Sequence, residues 1–309
     1  MKDLSKVSVK LVEIGPETSG QRVDNFLLKV CKGVPKSHLY RILRSGEVRV
    51  NSGRVDATYR LQEGDRLRIP PLRLGTKAAG PKPPQFDLPL LYEDEGLIAA
   101  DKPAGLAVHG GSGISHGVIE HLRAARPAAK FLELVHRLDR DTSGLLLLAK
   151  KRAVLTAMHE LIREGRMDKR YLVLVQGQWP AGKKHVKLKL QRYVTGAGER
   201  RVSVHEDGRD THTVFELERA CGAYSLLQAQ LKTGRTHQIR VHLAHLGFPI
   251  VGDAKYGDFE LNKRLAKQGM KRMFLHAWKL AFVHPLSGET LKLEAPLPRE
   301  LENFINALT

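Results

Sequence analysis

The chain has 309 residues, with 51 Lys or Arg against 33 Asp or Glu, so its formal net charge is +18. A hydrophobic fraction of 42% excludes a wholly disordered chain, and the length allows more than one domain. No signal-peptide core opens the chain, and no apolar run reaches the roughly 18 residues of a membrane span. We therefore expect a cytoplasmic protein without a membrane span, and the charge favours a polyanionic partner.

Metal and nucleotide sites are not expected. Cys31 and Cys221 lie far apart beside apolar residues, as buried thiols commonly do. The 14 histidines form no HExxH motif, and His242 and His245 have no evident further ligands nearby. The glycines of AVHGGSG lack the GK[ST] ending of a phosphate-binding loop.

Two short helices are predicted near the start of the chain. RVDNFLLKVC has helical apolar spacing, and SHLYRILRSG continues as a second helix with Ser37 as its N-cap. One face of this second helix is basic and carries an aromatic ring, through Lys36, Tyr40, Arg41 and Arg44. EVRVN and DRLRIP then alternate as short strands. The basic face is either solvated or binds RNA, and its charge does not decide between the two.

A linker is predicted in LRLGTKAAGPKPPQ, which holds glycine, alanine and proline with little apolar periodicity. It divides the chain into an N-terminal extension at 1–19, a small module at 20–70, the linker at 71–86 and a larger domain at 87–309.

The larger domain contains HRLDRDTSGLLLLAKKR, in which a charged cluster runs into a buried strand. Asp139 is either a solvated turn residue or a carboxylate on a rigid support, able to act as nucleophile or base. A second strand is predicted in RYLVLVQG. If the two strands are near neighbours, Asp139 and Tyr171 meet at one end of the sheet.

A helix is predicted in TGRTHQIRVHLAHLG, capped by Thr233 or Thr236. Arg235, His237 and Arg240 would lie in or near its first turns, where backbone N–H groups favour an anion. The alternative is an ordinary amphipathic helix with solvated arginines. The last segment, FLHAWKLAFVHPLSGETLKLEAPLP, predicts a hairpin followed by a short helix.

Taken together, these motifs resemble a known family. HRLDRDTSGLLLLAK, KRYLVLVQG and TGRTHQIRVHLAHLGFPIVGDAKYG occur in the order found in the RluA-type pseudouridine synthases, and the resemblance covers almost the whole chain. RVDNFL, ILRSGEVRVN and GDRLRIP resemble an S4-type RNA-binding domain. The resemblance implies an α+β fold, with a small S4-like RNA-binding module followed by a catalytic domain on a mixed, largely antiparallel sheet.

The same resemblance implies an activity. Specific uridines of large-subunit (23S) ribosomal RNA, free or in an assembly intermediate, would be isomerised to pseudouridine. The N1–C1′ bond breaks and C5 joins the same sugar carbon, after the base has been flipped out. We expect a monomer that needs no metal or other cofactor, because the reaction involves neither redox change nor hydrolysis.

Site residues follow from the family motifs. The catalytic aspartate corresponds to Asp139, the active-site tyrosine to Tyr171, and the arginine that pairs with the carboxylate to Arg240. Arg137 corresponds to an arginine that fills the space left by the flipped nucleotide. Asp139 would either attack C1′ or remove the 2′ proton, and the sequence does not distinguish these two mechanisms. Further RNA contacts are expected from Lys102, His136, Arg235 and His237.

Other functions remain open at this point. A non-catalytic RNA-binding ribosome-assembly factor would need only the basic surface and would tolerate loss of Asp139. A nucleotide glycohydrolase would need a second carboxylate, for which Asp141 is the near candidate. The S4-like module disfavours a DNA-binding protein.

Overall fold

The structure is a computed structural model that describes residues 8–31, 33–72, 88–111 and 116–308. The chain forms two compact units, which divide between residues 82 and 83. Most of the predicted linker lies outside the described residues, so the domain boundaries stay predictions. No helix in these four ranges has the length and apolar character needed to cross a membrane.

The N-terminal unit contains two helices and a four-stranded antiparallel sheet. Its elements are β1 (Lys10–Glu13), α1 (Val23–Val30), α2 (Lys36–Arg44), β2 (Arg49–Val50), β3 (Gly53–Arg54) and β4 (Arg66–Ile69), with strand order β1-β4-β2-β3. Phe26, Leu39 and Leu67 belong to its buried core. The predicted cap at Ser37 is wrong: α2 begins at Lys36 directly after Pro35, whose fixed φ suits a helix start.

The C-terminal unit is built on one large sheet. Its elements are β5 (Leu90–Glu93), β6 (Leu97–Lys102), α3 (Val118–Ala125), β7 (Glu133–Leu134), β8 (Ser143–Ala149), α4 (Arg152–Arg163), β9 (Asp168–Gln176), β10 (Lys183–Val194), β11 (Arg200–Val204), β12 (Arg209–Cys221), β13 (Tyr224–Leu231), α5 (Gln238–His245), α6 (Phe259–Lys267), β14 (Leu275–Val283), β15 (Thr290–Glu294) and α7 (Arg299–Asn306). The predicted final hairpin and helix are β14, β15 and α7.

The order of strands is β11-β10-β12-β13-β9-β14-β8-β6-β5, with β15 beside β14 and β7 beside β8. Among the described strands every pairing is antiparallel except that of β8 with β14. The predicted α+β fold with a mixed, largely antiparallel sheet is therefore confirmed.

Strand β8 is buried on both faces, as the leucine run predicts. Leu145 to Leu148 are completely inaccessible and belong to the main hydrophobic core, and β8 itself lies between β6 and β14 in the sheet. At its start, Gly144 has φ +102°, and a side chain there would collide with the carbonyl oxygen of Ala277 on β14. Glycine in this motif therefore permits the close approach of β8 and β14.

One row of residues across the sheet brings the predicted site together. Tyr171 on β9 pairs with Ala277 on β14, and Ala277 pairs with Gly144 on β8. Strands β8 and β9 are thus separated by β14, yet Tyr171 is level with the start of β8. The turn that carries Asp139 immediately precedes this end of β8.

Candidate active site

Asp139 lies in the turn before β8, where the sequence analysis places the catalytic carboxylate. The N–H group of Thr142 donates to the carbonyl oxygen of Asp139 at 3.2 Å, which closes the turn. The Asp139 side chain is 20% exposed. The carboxylate is therefore held on a rigid support and is largely shielded, but a ligand can still reach it.

Arg240, on α5, is the direct partner of this carboxylate. Its Nη1 donates to Asp139 Oδ2 at 3.0 Å, while its Nε and Nη2 donate to the two oxygens of Asp253 at 2.7 and 2.8 Å. Burial alone would lower the pKa of Arg240, but the hydrogen bonds and charge of Asp253, followed by those of Asp139, raise it. A permanent cation therefore links the two carboxylates.

Asp253 is a second carboxylate of the site, and it was not predicted from the sequence. Its side chain is completely buried, and Oδ1 accepts from the N–H groups of Lys255 at 2.8 Å and Tyr256 at 3.1 Å. Burial would raise its pKa, but Arg240 and these N–H groups lower it. The sequence VGDAKYG contains this carboxylate, but its pairing with Arg240 depends on the fold.

His237 adopts a left-handed backbone conformation, with φ 53° and ψ 20°, at the N-cap of α5. The predicted Thr233 or Thr236 cap is therefore wrong, and the Thr233 hydroxyl instead donates to the Gln238 side chain at 2.9 Å. This conformation places the His237 ring near Asp139, with Nε2 at 3.7 Å from Oδ2.

A tyrosine orients the same ring. Tyr256 Oη accepts from the Val202 N–H at 2.9 Å and lies 2.8 Å from His237 Nδ1, so its hydroxyl proton can go to Nδ1. The neutral ring would then carry its proton on Nε2, the nitrogen nearer Asp139. Burial lowers the pKa of His237, and Asp139 opposes this shift without reversing it.

Tyr171 faces the cavity that contains Asp139. Its side chain is buried, and burial, together with the negative charge of Asp139, raises the pKa of its hydroxyl. The phenol therefore stays protonated at neutral pH. A neutral aromatic ring beside a carboxylate is suited to pack against a flat, uncharged base.

The cavity has a volume of about 590 Å³, within the size range of small-ligand sites. Several of its lining side chains are basic: Arg137, Arg163, Lys169, Arg192, Lys232, Arg235 and Arg240. Arg137 is exposed, and its side chain makes no hydrogen bond or ion pair with any residue that the structure describes. A cavity of this size with a basic lining fits a nucleobase and its flanking phosphates.

Predicted RNA contacts divide into two groups. Arg235 is exposed and lines the cavity, as does the half-buried His237. His136 also lines it, but its Nε2 accepts from the Leu147 N–H at 3.1 Å, and burial and then the charge of Lys169 lower its pKa to about 4. Its neutral ring therefore supports the loop before β8.

The prediction that Lys102 contacts RNA is wrong. Its side chain is completely buried, and Nζ donates to the carbonyl oxygens of Pro103 at 2.8 Å, Leu106 at 2.8 Å and Arg140 at 3.0 Å. Burial lowers its pKa to about 7. All three donors of the ammonium group are used, so Lys102 joins the loop after β6 to the loop that carries Asp139.

In the N-terminal unit, the predicted basic face is accessible. Lys36, Arg41 and Arg44 are exposed on α2, and Lys36 Nζ lies 5.7 Å from the centre of the Tyr40 ring. The Tyr40 hydroxyl donates to Asp24 Oδ2 at 2.8 Å. Its ring is thereby held in place between exposed cations.

A row of arginines on the neighbouring sheet was not predicted. Arg49 on β2 pairs with Arg54 on β3 and with Arg68 on β4. Like charges placed opposite one another destabilise a sheet, and the hydrogen bonds of Arg49 and Arg68 go to main-chain carbonyls. Strand register creates this row, which adds positive charge to the sheet of the unit.

Comparison with protein families identifies both units. The S4 domain matches residues 21–67, and the RNA pseudouridylate synthase family matches residues 96–245.

Individual relatives cover nearly the whole chain. The "Ribosomal large subunit pseudouridine synthase C" of Pasteurella multocida (strain Pm70) is 50% identical over 97% of this chain and 94% of its own length. The protein of the same name from Escherichia coli (strain K12) is 48% identical over 97% of both chains. Among solved structures, human RNA Pseudouridylate Synthase Domain Containing 4 superposes with a TM-score of 0.59 at 24% identity, covering 71% of this chain and 92% of that one.

Proposed function

This chain belongs to the RNA pseudouridylate synthase family, and we propose that it isomerises uridines of large-subunit ribosomal RNA, with Asp139 as the catalytic residue. The observation that carries the assignment of Asp139 is its position: the carboxylate faces a basic cavity, held by a buried arginine and lying near a buried tyrosine. The large-subunit substrate is inferred from the names of the two bacterial relatives.

One carboxylate is sufficient for this reaction, because the uracil that leaves through N1 is also the nucleophile that returns through C5. Asp139 either attacks C1′ or removes the 2′ proton, and both steps require its charged form. Arg240 is already held by Asp253, so it orients the carboxylate while sharing its positive charge between two anions.

The arrangement argues against hydrolysis of the glycosidic bond. A hydrolase of this kind commonly uses a second carboxyl group as acid or base. Asp253 is 1% exposed and fully engaged by Arg240 and backbone N–H groups. The Asp141 side chain is 43% exposed, pairs with Arg140 at 3.2 Å and does not line the cavity.

The substrate base must leave its stack to reach Asp139. In our proposal the uracil packs against the Tyr171 ring, and the exposed Arg137 at the cavity enters the space that the base leaves. Arg235 and His237 contact the RNA nearby, while Lys36, Tyr40, Arg41 and Arg44 bind RNA through the S4 domain. The protein acts as a monomer in the cytoplasm, on free rRNA or an assembly intermediate.

The test compares two neighbouring carboxylates. Asp139→Asn keeps the size of the side chain but removes its charge, so tritium release from C5 of uridine-labelled rRNA should stop while filter binding of the RNA stays near normal. Asp141→Asn is the matched control and should retain both. Near-normal tritium release from Asp139→Asn would refute the assignment and favour a non-catalytic assembly factor.

A further inference from the structure

Lys169 is a buried cation in the catalytic cavity that the reaction proposed above does not use. It lies on β9 two residues before Tyr171, so the two side chains share one face of the strand. Lys169 is only 8% exposed and lines the same cavity as Asp139. Burial lowers the pKa of its ammonium group, and no carboxylate opposes this shift.

This ammonium group lacks a partner within the described part of the chain. The hydrogen bonds and ion pairs there include none to Lys169, although arginines and lysines elsewhere in the unit are commonly paired. The titratable side chain near Lys169 is that of His136, and its ring is neutral at pH 7. A buried charge without a counter-ion destabilises a fold, so its presence in a ligand cavity points to an anion that arrives with the substrate.

The loop before α5 supplies further main-chain donors, and Gly234 in this loop lies next to Lys169. A β-carbon added to Gly234 would lie 3.7 Å from Lys169 Nζ, so the main chain of this loop passes directly beside the ammonium group. The N–H groups of Gly234 and Thr236 find no acceptor among the residues described, whereas that of Arg235 donates to the Gln238 side chain at 3.0 Å. Unpaired main-chain donors beside a cation are suited to bind an anion.

We propose that Lys169 Nζ and the N–H groups of Gly234 and Thr236 bind a backbone phosphate next to the flipped uridine. This inference rests on the proposed function, because RNA supplies the phosphate. Gly234 and Arg235 are exposed, so this part of the cavity lies at its rim, where the RNA backbone passes. The uracil itself lies deeper, beside the buried Tyr171.

The test is Lys169→Met, which keeps the length of the side chain and removes its charge. We expect weaker binding to transcribed large-subunit rRNA, and a log–log dependence of affinity on salt that is shallower by about 0.7 to 0.9. Turnover at saturating RNA should change much less than affinity. The midpoint of thermal unfolding should not fall, because an unpaired buried charge has been removed.

Lys263→Met is the matched control, since Lys263 lies on the surface of α6, pairs with Glu260 and does not line the cavity. It should leave the salt slope unchanged. Should Lys169→Met fail to fold, Lys169→Gln is measured in its place, with the same expected loss of slope.

Two results would overturn the phosphate assignment. Unchanged affinity and slope would make Lys169 a structural residue, and lost turnover with unchanged affinity would place its contact on the uracil. Failure of the proposed function is separate: the wild-type protein would then form no pseudouridine in this RNA, whatever the effect of Lys169→Met on binding.

Discussion

Asp253 should control catalysis without touching the substrate. Its carboxylate accepts two hydrogen bonds from Arg240, whose Nη1 donates to Asp139. Asp253→Asn removes the charge and replaces one acceptor oxygen with an NH₂ group, which cannot accept from the guanidinium. Arg240 then loses the partner that orients it, and its charge acts on Asp139 alone.

The cost in stability follows from the burial of this pair. Removing one partner of a buried ion pair costs about 3 to 5 kcal/mol. Asn can still accept from the N–H groups of Lys255 and Tyr256, so we expect the lower end, about 3 kcal/mol. For a unit of this size each kcal/mol shifts the unfolding midpoint by about 2 to 4 °C, which gives a fall of about 6 to 12 °C.

Turnover should fall as well. A small displacement of a catalytic group commonly costs about 100-fold in rate, and Asp139 loses the fixed orientation of Arg240 in the variant. RNA affinity should change little, because Asp253 is buried and does not line the cavity. Tritium release at saturating rRNA, filter binding and thermal unfolding measure the three quantities.

Asp258→Asn is the matched control. Asp258 also accepts two backbone N–H groups, as the N-cap of α6, but the structure gives it no arginine partner, and Asn caps helices equally well. This variant should resemble the wild-type protein in all three measurements. Wild-type turnover and unfolding midpoint in Asp253→Asn would refute the positioning role of Asp253.

Two further predictions concern acid stability and RNA binding. Burial lowers the pKa of His242 and of His276 from 6.5 to about 4, so the folded state favours their neutral form. Their contribution to the free energy of unfolding is therefore complete above pH 6.5. By pH 5 about 2 kcal/mol should be lost for each histidine. Urea unfolding at pH 7 and pH 5 measures this loss, and equal stability would contradict it. Replacing Lys36, Arg41 and Arg44 together by alanine should weaken rRNA binding and reduce the log–log dependence of affinity on salt by about 0.7 to 0.9 per lost phosphate contact. Turnover at saturating RNA should be largely kept. Filter binding across a salt series tests this prediction, and an unchanged slope would show that this helix face is solvated and does not bind RNA.

Individual helices and strands could be predicted from the sequence because their patterns of apolar residues are local. The apolar run of β8 and the helical spacing of α2 follow from which side chains must be buried. The same reasoning placed Asp139 at the mouth of β8, and the family motifs paired it with Arg240, a contact that the structure contains. Helix starts were less well predicted, because the N-caps are Pro35 and the left-handed His237 and not the expected serine or threonine residues.

The environment of each charge was decided only by the tertiary structure. Lys102 was predicted to contact RNA and Lys169 had no predicted role, yet both side chains are buried. Lys102 donates to three carbonyl oxygens, whereas Lys169 has no partner among the residues that the structure describes. Strand β14, which lies late in the chain, pairs with both β8 and β9. The loop after α5 contains Asp253, which pairs with Arg240. Apolar periodicity shows which face of an element is buried, but the pKa and partners of a charged group depend on distances between segments remote in sequence, and only the folded chain sets those distances.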